Sequence, residues 1–139
     1  MQTFFVYEDT KLNAQVLDNK RLGKQRVEAI QILRSLIGET DGWKNHPAVK
    51  MWKGYEPFLL YMYLYDIMGE WKRRGYRNDK CEEHYKYLTR KIDIDIVKPD
   101  WLDENFMNSH RSKLISKNYD YYKPKFPVVE EGLEYIWPV

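Results

Sequence analysis

Between Asn13 and Ile37 the apolar residues recur at a spacing that only a helix brings to one side, and this stretch constrains the fold more than any other. On a wheel of about 100° per residue, Leu22, Ala29, Ile30, Leu33, Leu36 and Ile37 share one side. Arg21, Lys24, Gln25 and Glu28 form a polar stripe along another. Gly38 supplies the stop, since glycine readily takes the left-handed conformation that closes a helix. The spacing predicts one long helix over 13–37. Arg26 falls in the middle of the apolar side, where a guanidinium must snorkel, pair, or point into a cleft.

The remaining punctuation predicts a mainly α protein. Gly38 to Pro47 reads as a loop, followed by a short helix over 47–52 and a longer one over 56–74 that Gly75 closes. Residues 81–91 read as helical, and Asp100 or Asp103 is placed to cap a further helix reaching about Lys117. Residues 92–97 alternate like a short strand, and residues 1–7 suit a strand or an extended arm. From Tyr119 onward Pro124, Pro127 and Pro138 favour an irregular, aromatic tail. Without internal repeat, low-complexity tract or linker, residues 1–139 are expected to form one compact helical domain, acting as a monomer.

Composition narrows the function classes. Hydrophobic residues at 43%, with 16% aromatics, exclude a disordered chain. The net charge of +2 excludes a histone-like polycation. Cations nonetheless cluster at 20–34, 44–53, 72–77 and 110–125, a lopsided field that suits a nucleic-acid partner. Cys81 is the one cysteine, so no internal disulfide or cysteine-rich zinc site exists, in keeping with a reducing compartment. No leader pattern opens the chain, and the longest apolar run, 58–65, is cut by Asp66, so a cytoplasmic protein without membrane contact is expected. No phosphate-binding glycine loop, HExxH, EF-hand or nucleophile elbow occurs, and His46, His84 and His110 lie far apart. The sequence therefore suggests neither a metal nor a small-molecule cofactor.

Glu28 is the residue that suggests chemistry. It follows Lys20, Arg21, Lys24 and Arg26 on the predicted helix, so one carboxylate stands among four cations. One explanation is an i,i+4 pair with Lys24 on a solvated face. The other is a polyanion-binding surface carrying a single acid–base group.

The order of short motifs decides where to look. Leu17-Asp18, a basic stretch, Arg26 near Glu28, then Gly38-Glu39-Thr40, Gly42-Trp43 and His46-Pro47 resemble the pyrimidine-dimer DNA glycosylases of the phage endonuclease V type. Arg73-Arg74-Gly75-Tyr76 is similar to the end of the next helix in that family, and Tyr119-Asp120-Tyr121-Tyr122-Lys123 to its aromatic-basic C-terminal segment. Two positions depart from the pattern. Val27 stands where the family places Arg before its glutamate. The phage enzyme's nucleophile is the α-amine freed by removal of Met, whereas here Gln2 is too large for that removal to be expected.

The resemblance implies a DNA repair glycosylase with abasic-site lyase activity on damaged double-stranded DNA, pyrimidine dimers in particular, with Glu28 as the catalytic carboxylate and the amine of Met1 as Schiff-base nucleophile. It implies DNA contacts from Lys20, Arg21, Lys24 and Arg26, with Trp43, His46, Tyr121, Tyr122 and Lys123 beside the lesion. An α-amine suits this role, because its pKa of about 7.7–8.0 against about 10.4 for lysine leaves far more of it neutral near pH 7. Two alternatives remain open at this point: a non-catalytic DNA- or RNA-binding module on the same scaffold, and a related enzyme for another modified base.

Overall fold

Asp9 starts the helical part of the chain: its carboxylate accepts the N–H groups of Lys11 and Leu12 and caps α1 (Thr10–Val16). In the computed structural model, which describes residues 1–139, seven helices follow one another and no strand forms. The single helix expected over 13–37 is two. Leu17 and Asp18 are extended, and α2 runs Asn19–Leu36 beyond that corner. The corner is held from afar. Tyr122 donates its hydroxyl proton to the Asp18 carboxylate and accepts the Asp18 N–H at 2.9 Å, while Leu17 is fully buried. These bonds and that burial offset the helical hydrogen bonds that the break forgoes.

Leu22, Ala29, Ile30 and Leu33 face the core as their spacing requires, and Gly38, at φ 83°, ends the helix. His46 caps the short α3 (Pro47–Lys50) by accepting the Ala48 N–H at Nδ1, 3.0 Å away. Glu56–Phe58 continues through the π-wound Leu59–Leu64 into Tyr65–Arg73, and the three make one rod, α4. Gly75, at φ 92°, closes it. Then come α5 (Asp79–Thr89), α6 (Glu104–Lys117), capped by Asp103, and the short α7 (Tyr119–Tyr122). The strand expected over 92–97 is an open segment. Only Ile92 of its apolar residues is buried, and no neighbouring strand pairs with it.

Arg26 is explained by α4. Its guanidinium lies 4.2 Å from the centre of the Trp71 ring and donates to Asn78 Oδ1 at 2.9 Å. Trp71 can come this close because Gly23 lacks a side chain, and a Cβ there would meet its ring at 3.0 Å. Arg26 is thus a packing residue between α2, α4 and α5.

The arm takes no regular structure, yet it is buried from Gln2 to Val6. Residues 2–6 pass through the core without a strand to pair with, so side chains satisfy their backbone. Gln25 accepts the Phe4 N–H at 3.0 Å, and His110 Nδ1 accepts the Phe5 N–H at 3.1 Å. Asn13 accepts the Val6 N–H at 2.7 Å and donates to the Phe4 carbonyl, while Arg111 donates to the Val6 carbonyl. Phe5 anchors the arm edge-on to Tyr63, ring centres 4.6 Å apart. No helix is long and apolar enough to cross a membrane.

Candidate active site

Seating the arm against α2 opens a cleft of about 410 Å³ at the start of the chain. Met1 and Gln2 form one side of it. Lys20, Arg21, Lys24 and Glu28 present the polar stripe of α2, while Lys117 from α6 and Tyr135 from the C-terminal segment complete it. Met1, Glu28, Lys20, Arg21 and Lys24 therefore line one cleft. Arg26 does not join them, since it is committed to Trp71 on another side of α2.

Glu28 makes no ion pair with Lys24. Its Oε2 accepts from Gln25 Nε2 at 3.1 Å and from the Gln2 peptide N–H at 3.4 Å. Its Oε1 has no protein partner and is not buried, so it faces the cleft. The amino group at Met1 lies one residue beyond the Gln2 nitrogen. One residue spans at most about 3.6 Å, so the amine falls within roughly 7 Å of the Glu28 carboxylate.

The charge pattern of the cleft works against the helix that carries it. Lys20 and Arg21 occupy the first turn of α2, where no acidic residue sits, although the positive end of the helix dipole favours anions there. Asp18 offsets Arg21 through an ion pair at 3.2 Å. Lys20, Lys24 and Lys117 have no carboxylate partner. An arrangement unfavourable to the isolated helix becomes favourable when a phosphate enters.

A series of aromatic rings leads away from the cleft, starting at Tyr135. Burial, and then the negative charge of Glu28, push the Tyr135 phenol up to about 12, with Arg21 opposing. Tyr135 is therefore neutral, its ring edge-on to His110 and to Trp137. Trp137 meets His46 edge-on, and His46 meets Trp43 in the same way. Burial, then the positive charge of the Met1 amine, lower the pKa of His46. Trp43 is 45% exposed on its loop.

The C-terminal aromatic segment sits elsewhere. Tyr122 is completely buried and stacks on Phe126, so it has no surface to offer a base, and its expected role as a DNA contact is corrected to that of the Asp18 anchor. Tyr121 is half-buried under Lys125, and Lys123 pairs with Glu131 at 3.0 Å. None of the three lines the cleft. Sequence reading missed Lys117 and Tyr135, which only the fold brings to Glu28. It also missed the part played by Gln25, which the stripe contained but its burial hid.

A family model described as pyrimidine dimer DNA glycosylase matches residues 1–83 of the 139. No curated protein and no solved structure matches the chain. The matched segment contains the arm, α1, α2 and Glu28, whereas Lys117 and Tyr135 lie outside it. With more than half of its length matched, including the helix that carries the acidic group, the chain belongs to the pyrimidine dimer DNA glycosylase family.

Proposed function

We propose that the protein is a metal-independent DNA glycosylase with abasic-site lyase activity, acting as a monomer on damaged double-stranded DNA and on pyrimidine dimers in particular. The observation that supports this most is the meeting of the chain's first residues with Glu28 in a cleft of otherwise positive charge. A neutral amine at Met1 attacks C1′ of the deoxyribose, and the C1′–N bond breaks with its electron pair leaving on the base, which takes up a proton. Glu28 stabilises the cationic character that develops at the sugar. Opening of the ring gives a C1′=N Schiff base, with the proton going to O4′. Glu28 Oε1 then takes a proton from C2′, and β-elimination breaks the C3′–O bond, with the electron pair leaving on the phosphate. Lys20, Arg21 and Lys24 hold the flanking phosphates, and the rings of Trp43 and His46 offer faces to the bases of the opened duplex.

A second reading of the nucleophile rests on the 3.4 Å between the Gln2 nitrogen and Glu28 Oε2. In a chain lacking Met1, that nitrogen is the primary amine. Borohydride trapping on ultraviolet-irradiated and abasic duplexes tests both readings. A covalent adduct is expected, and the mass of the trapped peptide distinguishes Met1, Gln2 and a lysine. Specific binding with no adduct on either duplex would replace the enzyme with a binding module.

A further inference from the structure

Gln25 is nearly inaccessible to solvent, yet its side-chain amide uses all four of its hydrogen-bonding positions. Oε1 accepts the Phe4 N–H at 3.0 Å and the Tyr63 hydroxyl. Nε2 donates to the Gln2 carbonyl at 2.9 Å and to Glu28 Oε2 at 3.1 Å. The opposite orientation of the amide would set an oxygen against a carbonyl and a carboxylate, and an NH2 group against an N–H, so the network admits one assignment only.

These four bonds join three things that the proposed chemistry needs in fixed relation: the arm on both sides of Thr3, the carboxylate, and the core through Tyr63. They also make the two oxygens of Glu28 unequal. Oε2 is held by Gln25 and by the Gln2 N–H, and Oε1 is left for the cleft. An arm carried on a flexible chain start would otherwise let the separation of amine and carboxylate drift, and rates fall steeply with displacements of about 1 Å.

We infer that Gln25 is a positioning residue of the active site, which sets the distance between the amine and Glu28 and commits Glu28 Oε1 to the substrate. This inference rests on the proposed function, in which amine and carboxylate act together. Gln25 borders the cleft, but it is 1% exposed and all four of its hydrogen-bonding positions are taken, so it acts through Glu28 and the arm.

Gln25→Glu tests it, because it keeps the shape and both acceptor positions of Oε1. It replaces the donor beside Glu28 with a second carboxylate oxygen. Single-turnover cleavage of an abasic duplex is expected to slow at least tenfold while duplex affinity stays within about threefold. The acid limb of its pH–rate profile is expected to move to higher pH by more than one unit, because two carboxylates at this distance resist ionising together. The limb reports the new carboxylate's coupling to Glu28, and the plateau rate above it, measured on folded protein, reports positioning. A purely structural role would lower the folded fraction and leave that plateau unchanged, so an unslowed plateau in folded protein overturns the inference.

A measurement on the unaltered protein stands independently of that variant's folding. The Gln25 side-chain NH2 resonances, followed by NMR as pH falls, are expected to shift with the protonation of Glu28, and to stop doing so in Glu28→Gln. Resonances that stay flat throughout overturn the inference even if cleavage is robust. If instead the resonances follow Glu28 and the unaltered protein gives no borohydride adduct, the proposed chemistry fails and the coupling of Gln25 to Glu28 stands.

Discussion

Gln2 and Glu28 meet across 26 residues of chain, the peptide N–H of the first directed at Oε2 of the second, 3.4 Å away. The contact uses one oxygen of the carboxylate and brings the start of the chain beside it. Glu28→Gln keeps a side chain of the same shape and removes the proton acceptor. Cleavage is expected to fall by about 10²–10⁴-fold, with lesion-duplex binding within a few-fold and little change in melting temperature. Cleavage at the parental rate would reduce Glu28 to a structural partner of Gln25.

Acetylating the terminal amine, or extending the chain ahead of Met1 with a tag, is expected to abolish borohydride trapping and strand cleavage while leaving duplex binding measurable. Full activity in a tagged protein would move the nucleophile to a lysine of the same cleft, Lys20 or Lys24.

Schiff-base chemistry asks nothing of a divalent ion, so cleavage is expected to survive excess EDTA. Loss of activity with the chelator and its return with a divalent ion would refute the amine mechanism.

The cations of α2 divide into two groups. Lys20→Ala, Arg21→Ala and Lys24→Ala are each expected to reduce the slope of log K against log salt by about one unit. Arg26→Ala is expected to leave that slope unchanged and to cost about 2 kcal/mol of stability, through the lost contact with Trp71 and the unpaired Asn78. Filter-binding titrations and denaturant melts separate the two effects. A changed slope in Arg26→Ala would put that side of α2 against the DNA.

His110 makes the fold sensitive to acid. Complete burial holds its pKa down to about 3, against an ordinary value of about 6.5. Above pH 6.5 the imidazole is neutral whether the chain is folded or not, and its contribution is intact. Below that, the unfolded chain takes up a proton that the fold refuses. Stability is expected to fall by about 1.4 kcal/mol per pH unit from about 6.5 down towards 3. His110→Gln retains an acceptor for the Phe5 N–H, and its melts between pH 7 and pH 5 should show a shallower loss. An unchanged slope would assign the acid sensitivity to other groups.

What could be read from the sequence was local. Gly38, Gly75 and Asp103 mark helix ends through their own backbone or side-chain chemistry, and each does so in the fold. The unusual position of Arg26 was visible on the helical wheel, but its partner Trp71 was not. The corner at Leu17–Asp18 was invisible because the hydroxyl that holds it belongs to Tyr122, 104 residues away. Tyr121 and Tyr122 are adjacent and chemically alike, and only packing separates the half-buried ring from the buried one. The cluster of Lys20, Arg21, Lys24 and Glu28 was legible because one helix carries it all. Lys117 and Tyr135 were not, because the chain folds back to deliver them.

The grip of His110 and Arg111 on Phe5 and Val6 spans 105 residues and fixes an order of assembly. During synthesis the arm leaves the ribosome long before α6 exists to receive it. It must wait unpaired until α6 has been made, and seating it then closes a loop of 105 residues. Glu28 and its cations belong to a single helix and need no such wait. A chain cut short before α6 therefore keeps the charged stripe of α2, but it lacks the contacts that seat the arm beside the carboxylate.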